Sequence, residues 1–351
     1  MSLRARLKAS AGPLSLTADC SEAAAGVSSE KAIFSLFDLD GRNVPTGYTY
    51  LEDIAGGCFG EVVKAKDTHG RIVAVKKTWC ATGSPPRHGA PDCIPEALAL
   101  SAVSHDNVVS LLDAVPSDSE TFLVLQMCAL NLDQALTRWQ RPLPEATVKA
   151  LLLDLLSGLA ACHSAGLLHR DVKPANLLLT GSGVLKLADF GHARWHDGKG
   201  PYSPAVASRW YRAPELLYSS QHYDGAIDVW ATGCIFAELL GARPLFPGSS
   251  DIEQLSKIRA VMGSIDTRAW QGALQWPDFG KLTFSPCSPC PWQEVLPGAS
   301  APALDLLSCM LQYNPDDRLS ANDLLTHAWF RAPPLPCSRA IISQLVKDAA
   351  R

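Results

Sequence analysis

Two stretches, "HRDVKPANLLL" at 169–179 and "DFG" at 189–191, place Asp171, Lys173, Asn176 and Asp189 in quick succession. A carboxylate, an ammonium, an amide and a second carboxylate in this order suit phosphoryl transfer. That chemistry needs a proton acceptor for a hydroxyl, a cation near the moving phosphate and oxygen ligands for magnesium. With "APE" following at 213–215, an accidental match of this length is negligible. Upstream, the strand-like "VAVK" ends on Lys76, where an ammonium can reach phosphates, and Glu96, in a run of helical period, can pair with it. Taken alone, each would be an ordinary solvated charge. Before them, "LEDIAGGCFGEV" reads as a phosphate-binding loop of the form G-x-G-x-x-G-x-V. Gly57, Gly60 and Val62 fit that frame, and Ala55 takes the place of the first glycine.

These residues need scaffolds of two kinds. From Tyr48 the chain runs in short β-type segments, "EVVKAKD" and "IVAVKKTW", divided by "THGR", a hairpin signal. "PPRHGAPD" breaks the chain before "PEALALSAV", of helical period, and "TFLVLQM" is a further strand. Beyond it the sequence turns helical, beginning with "EATVKALLLDLLSGLAACHSAG". An α+β architecture is expected, with a small β-rich lobe (about 48–128) before a larger helical lobe (about 129–330). Residues 1–47, rich in Ala, Ser and Gly, read as a mostly flexible extension, "FDLDGRN" within them as a turn, and 331–351 as a C-terminal tail.

Composition limits the function classes. The 351 residues, 47% hydrophobic and 19% charged, can bury a large core. Lys and Arg number 31 against 35 Asp and Glu, a net charge of -4 that lacks the basic footprint of a nucleic-acid binder. Asp154 interrupts "ALLLDLLSGLA", so no apolar run long enough to span a bilayer, and no membrane partner, is expected. The 11 cysteines are scattered and no secretory signal precedes them, which suits a reducing, intracellular compartment. Cys287 and Cys290 in "PCSPCP" lack the second pair of a zinc site and read as loop thiols. Arg4, Arg6 and Lys8, with no acid before Asp19, resemble a transit peptide only faintly; a disordered tail is the simpler account.

From about Tyr48 to Phe330 the sequence resembles the eukaryotic protein kinases. The resemblance implies a bilobal kinase fold with ATP and Mg²⁺ as cofactors. Position by position it implies Asp171 as the catalytic base, Lys173 as the γ-phosphate contact, Asn176 and Asp189 as Mg²⁺ ligands, and Lys76 with Glu96 as the phosphate-holding pair. ATP would lie against Ile54, Ala55, Gly56, Gly57, Cys58, Phe59, Gly60 and Glu61. Val62, Ala74 and Leu178 would sandwich the adenine, with Leu125 as gatekeeper and Gln126, Met127 and Cys128 as the hinge. The apolar members of this set have an equal claim as plain core; the polar members fix the frame.

Lysine two places after Asp171 resembles serine/threonine rather than tyrosine kinases. "SRWYRAPELL" and "YDGAIDVWATGCIFAELLGARPLFPGSSDIEQL" resemble the cyclin-dependent-kinase-like group. Within it, "WPDFGKLTF" and "EVLPGASAPALDLL" look most like the cell cycle-related kinases, relatives linked to cilium or flagellum length. The implied function is ATP-dependent transfer to protein Ser/Thr hydroxyls, regulating cilium or flagellum length or the cell cycle. The implied setting is the cytoplasm, cilium or flagellum, or nucleus. A catalytically weak scaffold is one alternative, but it would be expected to lack Lys76, Asp171, Asn176 or Asp189. A small-molecule or lipid kinase is the other, disfavoured by "APE" and the peptide-binding loop.

In that group an arginine matching Arg212 holds a turned carbonyl in the loop before "WYR", so the pocket accepts proline, which has no N–H to donate. Val206, Ala207 and Arg212 thus imply Ser/Thr-Pro sites in a protein substrate, which for some members is another kinase. Ser208 is implied to orient Asp171 and Lys173. Ser203 matches the activating phosphothreonine, and Arg170 and Arg194 match two of the three arginines that receive it. Pro95 replaces the third, so that helix is expected to start late. Together with "GSPPRHGAPDCI", Pro95 implies a regulatory partner that need not be a cyclin. Because Gly57 permits the close approach of backbone to phosphate, the loop carrying Ala55 is expected to be a working clasp.

Overall fold

Val63 and Ala65, Val73 and Val75, and Phe122 and Val124 recur at every second position of neighbouring strands, so they share one face and form a buried cluster. The computed structural model describes residues 44–57, 60–79, 95–116, 120–198 and 200–350. The expectations for the extension up to residue 43, for "FDLDGRN", for Cys58 and Phe59 and for "GSPPRHGAPDCI" fall outside the described residues. The chain divides into two units, 1–88 with 110–127 and 89–109 with 128–351.

In the first unit β1 (Tyr48–Gly57), β2 (Gly60–Asp67), β3 (Ile72–Trp79), β4 (Leu111–Pro116) and β5 (Glu120–Gln126) make one antiparallel sheet of order β1-β2-β3-β5-β4. The expected "THGR" hairpin forms between β2 and β3. Asp67 Oδ1 accepts from the amides of His69 and Arg71, and Gly70 supplies the left-handed residue (φ 82°). Val44 packs into the same core and the Tyr48 amide bonds the Pro45 carbonyl. Val44, four residues before β1, is thus part of that cluster.

The second unit contains α1 (Glu96–Ala102), α2 (Leu132–Trp139), α3 (Glu145–Ser164), α4 (Pro214–Leu217), α5 (Ala226–Gly241), α6 (Asp251–Met262), α7 (Trp292–Val295), α8 (Ala301–Met310), α9 (Ala321–Leu325) and α10 (Arg339–Ala350). Helix α1 begins directly after Pro95, which occupies its N-cap. It groups with the second unit rather than with the strands around it in sequence. Two small antiparallel sheets complete the unit: β7 (Leu167–Leu168) with β10 (Arg194–Trp195), and β6 (Leu130–Asn131), β8 (Leu177–Leu179) and β9 (Leu185–Leu187) in the order β6-β8-β9.

Helix α3 corrects one expectation. Its 20 residues are apolar and long enough to cross a membrane by length and composition, despite Asp154. Within the unit, however, 72% of its most apolar window is buried, as in a core helix. Helix α5, "AIDVWATGCIFAELLG", is buried from Ile227 to Leu240, which explains its lack of a polar face. The region 331–351, read from sequence as a tail, carries α10, whose Ile342, Val346 and Ala349 are buried.

Candidate active site

The loop from His169 to Asn176 enters from β7 and is suspended from a charge inside α5. The amides of His169 and Arg170 donate to Asp228 Oδ2 (3.0 Å) and Oδ1 (2.8 Å), and His163 Nε2 lies 3.0 Å from Oδ2. Burial pushes the Asp228 carboxyl up, but the His163 and His169 hydrogen bonds outweigh it and hold the group below its ordinary value. Arg170 sits at φ 66°, a conformation that costs a non-glycine residue free energy and is held here by this anchor.

That suspension aims the side chains that the motif singled out. Asp171 Oδ1 accepts from both the amide and Oγ of Ser208, at 3.0 Å each. Asp171 Oδ2 accepts from Asn176 Nδ2 at 3.0 Å and pairs with Lys173 Nζ at 2.8 Å, and Lys173 also reaches Ser208 Oγ at 3.0 Å. Asp171, Lys173, Asn176 and Ser208 are thus one hydrogen-bonded group. Such a group can hold a carboxylate in one rotamer, with an ammonium and a hydroxyl beside it.

Asp189 is tied to the same group through the backbone. The Ala188 amide donates to the Asn176 carbonyl (2.9 Å), and His169 packs edge-on to Phe190 (4.8 Å between centroids). Asp189 has φ 61°, and its Oδ1 accepts from the Gly191 amide at 3.4 Å. Glu96, buried at the start of α1, accepts from the Phe190 amide at 3.2 Å. Burial holds His192 below its ordinary value despite the nearby carboxylates Asp171 and Asp189, so the imidazole is neutral at pH 7.

Among the described residues no cluster of three or more His, Cys, Asp and Glu could cage a metal ion. Mg²⁺ needs no such cage, because it takes one or two protein oxygens and completes its shell with water and phosphate. Asn176 fits that need: its nitrogen is committed to the Asp171 carbonyl (2.8 Å) and carboxylate, which leaves its oxygen as the end for a hard cation. The Asp189 carboxylate, set by the Ala188 bond, adds a charged oxygen.

The activation segment is held by gentler means. Arg170 Nη1 donates to the Tyr223 hydroxyl (3.0 Å), which in turn donates to the Ser203 carbonyl (2.5 Å). Arg194 stacks over the Tyr202 ring at 5.5 Å, and the Tyr202 hydroxyl donates to Asp197 at 2.7 Å. Farther along, Arg212 Nε donates to the Val206 carbonyl (3.0 Å) and Nη2 to the Ala207 carbonyl (2.8 Å), with Ala207 at φ 62°. Asp251 holds Arg212 and Arg209 from outside.

In the first unit the register places Val62 opposite Lys76, Ala74 opposite Leu125, and Lys76 opposite Leu123. Val62, Ala74, Lys76 and Leu125 therefore share the face opposite the apolar cluster. Gln126 falls on the other face, where its amide accepts from Ser110 Oγ at 3.4 Å. Ile54 is exposed on β1, and Ala55, Gly56 and Gly57 pair with Val62, Glu61 and Gly60. In the second unit Leu178 lies half-buried between fully buried Leu177 and Leu179, and burial pushes the Cys128 thiol up to about 11, which leaves it unreactive at pH 7.

Sequence reasoning missed Asp228, Tyr223, and the buried pair of Glu215 with Arg318, bonded at 2.6 and 2.8 Å. A carboxylate near the start of the largely apolar α5, which holds Glu238 besides, was the available signal for Asp228.

Comparison with known proteins points to one family. The protein kinase domain family matches residues 48–330. The chain is 43% identical over 294 residues to cyclin-dependent kinase 20 of Mus musculus, covering 82% of this chain and 84% of that protein. It is 39% identical over 297 residues to cyclin-dependent kinase D-1 of Arabidopsis thaliana, covering 84% and 74% respectively. Among solved structures, a chain of the CAK complex from Chaetomium thermophilum bound to ATP-gamma-S is similar with a TM-score of 0.75 at 30% identity, over 84% of this chain and 94% of that one.

Proposed function

The chain belongs to the protein kinase family, in its cyclin-dependent-kinase-like serine/threonine branch, and from that premise we propose how its residues divide the work and which hydroxyls it modifies. Kinases of this family use ATP with Mg²⁺. Bound in the site, Mg·ATP supplies the transferable γ-phosphoryl group and the cation that neutralises its charge. Asp171 accepts the proton of the substrate hydroxyl; the observation that carries this is its fixed rotamer, with Ser208 on Oδ1 and Lys173 and Asn176 on Oδ2. Lys173, beside that carboxylate, meets the phosphate, and Asn176 and Asp189 hold the cation. By the resemblance to the family, Lys76 and Glu96 would be assigned to the remaining phosphates, Val62, Ala74, Leu125 and Leu178 to the purine, and Gln126, Met127 and Cys128 to the hinge.

Proline direction is the finer part of the reading. Arg212 draws the Val206 and Ala207 carbonyls to itself, which leaves no acceptor asking for an N–H from the residue after the phosphoacceptor. Proline, lacking that N–H, then loses nothing. Phosphorylation of Ser203, flanked by Arg170 and Arg194, is the activating modification, and the regulatory partner need not be a cyclin. The likeness of "WPDFGKLTF" and "EVLPGASAPALDLL" to the cell cycle-related kinases supports a role in cilium or flagellum length or in the cell cycle, exercised in the cytoplasm, cilium or nucleus. Imaging of the tagged chain and measurement of cilium length in cells lacking it test that role.

The decisive experiment incubates the purified chain with Mg²⁺, labelled ATP and paired Ser-Pro and Ser-Ala peptides. A preference of about tenfold or more in kcat/KM, about 1.4 kcal/mol, for Ser-Pro is expected. Equal rates on both peptides overturn proline direction. Asp189→Asn is expected to reduce transfer at least about 10³-fold, roughly 4 kcal/mol of barrier, with an unchanged melting curve. Turnover within about tenfold of wild type would sink the cation-ligand assignment.

A further inference from the structure

The matched kinase domain ends at residue 330, yet the chain after it is bound to the catalytic unit at every step. Lys149 of α3, buried, donates to the carbonyls of Ala332 (2.6 Å) and Pro334 (2.8 Å). The Cys337 amide then donates to the Ala146 carbonyl (2.8 Å), and the next turn opens α10.

The first residue of α10 makes the informative contact. Arg339 grips Asp154 of α3 with both terminal nitrogens, Nη1 to Oδ2 and Nη2 to Oδ1. Asp154 is only 3% exposed, and its Oδ2 also accepts from the Leu185 amide at 2.9 Å, the first residue of β9. Arg339 Nη1 reaches the Gly183 carbonyl (3.3 Å), and Ser343 Oγ donates to the Gly181 carbonyl (2.7 Å). Gly183 sits so close that a Cβ there would lie 2.5 Å from the Arg339 carbonyl oxygen. The turn of the β8–β9 hairpin is thus held from outside by the start of α10.

That hairpin is short, three residues a strand, and its opposite end carries Asn176 just before β8 and Asp189 two residues after β9. Besides its three ladder pairs, the hairpin is held by β6 along β8 and by residues 107–109 along β9, where the Leu187 amide donates to the Asn107 carbonyl (2.8 Å) and Asn107 Nδ2 to the Leu185 carbonyl (3.0 Å). The Leu185 amide and the turn carbonyls of Gly181 and Gly183 are the parts held by Asp154 and α10. We infer that α10 is a brace, and that Arg339 is a positioning residue, which through Asp154 and the Leu185 amide sets the hairpin so that Asn176 and Asp189 keep the spacing a bound cation requires. This rests on the proposed role of those two residues as cation ligands. The brace acts chiefly on nucleotide affinity, because Asp171, although bonded to Asn176, keeps Ser208 on Oδ1 and Lys173 on Oδ2, and its loop keeps the Asp228 anchor at His169 and Arg170.

The test compares wild type, Arg339→Ala, Arg339→Lys and a chain ending after Ser338. Amide hydrogen exchange of the nucleotide-free protein is expected to speed up about tenfold or more over residues 180–187 in Arg339→Ala and in the truncated chain, with α5 unchanged. Affinity for Mg·ADP by calorimetry, and KM for ATP, are expected to weaken about three- to tenfold while kcat holds within about twofold. Arg339→Lys, which keeps the charge but not the fork, recovers part of both; if Arg339→Ala fails to fold, Arg339→Lys against wild type carries the test. Unchanged exchange at Leu185, or faster exchange in α5 as well, overturns the brace. If Asp189→Asn is inactive while Arg339→Ala exchanges and binds as wild type, the brace alone is wrong. If Asp189→Asn stays active, the cation-ligand reading fails, and the inference about affinity with it.

Discussion

The catalytic loop (169–176) and the segment from Gly200 to Ser208 are both irregular stretches of one unit, and they are secured in opposite ways. The first hangs from a buried carboxylate: His169, Arg170, Asp171 and Asn176 are all buried, and Asp228 accepts from two of their amides. The second is fixed at its far end, where Arg212 bonds the Val206 and Ala207 carbonyls and Ser208 reaches Asp171, but around Ser203 its hold is a tyrosine hydroxyl on one carbonyl and a ring stack, with Ala205 exposed. A buried charge that satisfies several donors gives one arrangement and a large penalty for any other. A single tyrosine hydroxyl on the Ser203 carbonyl is worth about 1 kcal/mol and can be traded for another contact. The difference separates what must be built once from what can be switched.

The strongest way to break this contrast is Asp228→Ala. It leaves the His169 and Arg170 amides and His163 without their shared acceptor, so a stability loss of about 3–5 kcal/mol is expected in denaturant unfolding. Transfer activity should be lost with it, since the Arg170 backbone at φ 66° loses the acceptor of its amide. A variant that unfolds at the wild-type midpoint would show that the loop does not depend on the anchor.

A smaller effect is expected at Tyr223. Tyr223→Phe keeps the ring against Tyr202 (5.4 Å) and removes only the hydroxyl that joins Arg170 to Ser203. Peptide kcat/KM of the unphosphorylated protein should fall about tenfold, roughly 1.4 kcal/mol, the scale of a charge-assisted hydrogen bond. Phosphorylation of Ser203 adds a charge of about -1.5 to -2, which Arg170 and Arg194 can pair without Tyr223, so activity should recover. Failure to recover would place the activating contact elsewhere, and Ser203→Ala as active as the phosphorylated wild type would remove the switch.

How far these features could be read beforehand follows from where their partners lie in the chain. Asp171, Lys173, Asn176 and Asp189 stand in one contiguous pattern, and the strands alternate cleanly enough to put Val62, Ala74 and Lys76 on one face. Asp228 lies 57 residues beyond Asp171 and Arg318 lies 103 residues beyond Glu215, and spacing alone does not join such pairs. Helix α10 was legible in principle, since Ile341, Ile342, Leu345, Val346 and Ala349 recur at helical spacing, but nothing local tells that Arg339 finds Asp154. Val44 was hidden by the polar, small-residue stretch before it.

The smallest effect is expected where the motif departs most visibly. Glycine is required only where the backbone takes a left-handed conformation or must approach another group more closely than a Cβ allows. Ala55 does not meet the first condition: it lies in β1 opposite Val62, after a register shift between Asp53 and Ala55, in extended backbone that any residue adopts. Gly57 pairs with Gly60 across the same hairpin, and the resemblance to kinase loops makes it the position expected to approach phosphate. Ala55→Gly should therefore change the KM for ATP by less than about tenfold, under roughly 1.4 kcal/mol, in assays at saturating peptide. It should also lower stability slightly, by about 0.5–1 kcal/mol, because glycine in a strand loses more chain entropy on folding than alanine. A gain in ATP affinity beyond tenfold would mean that Ala55 obstructs the phosphates; the sheet's role at the site would then be set by its loop chemistry rather than by strand register.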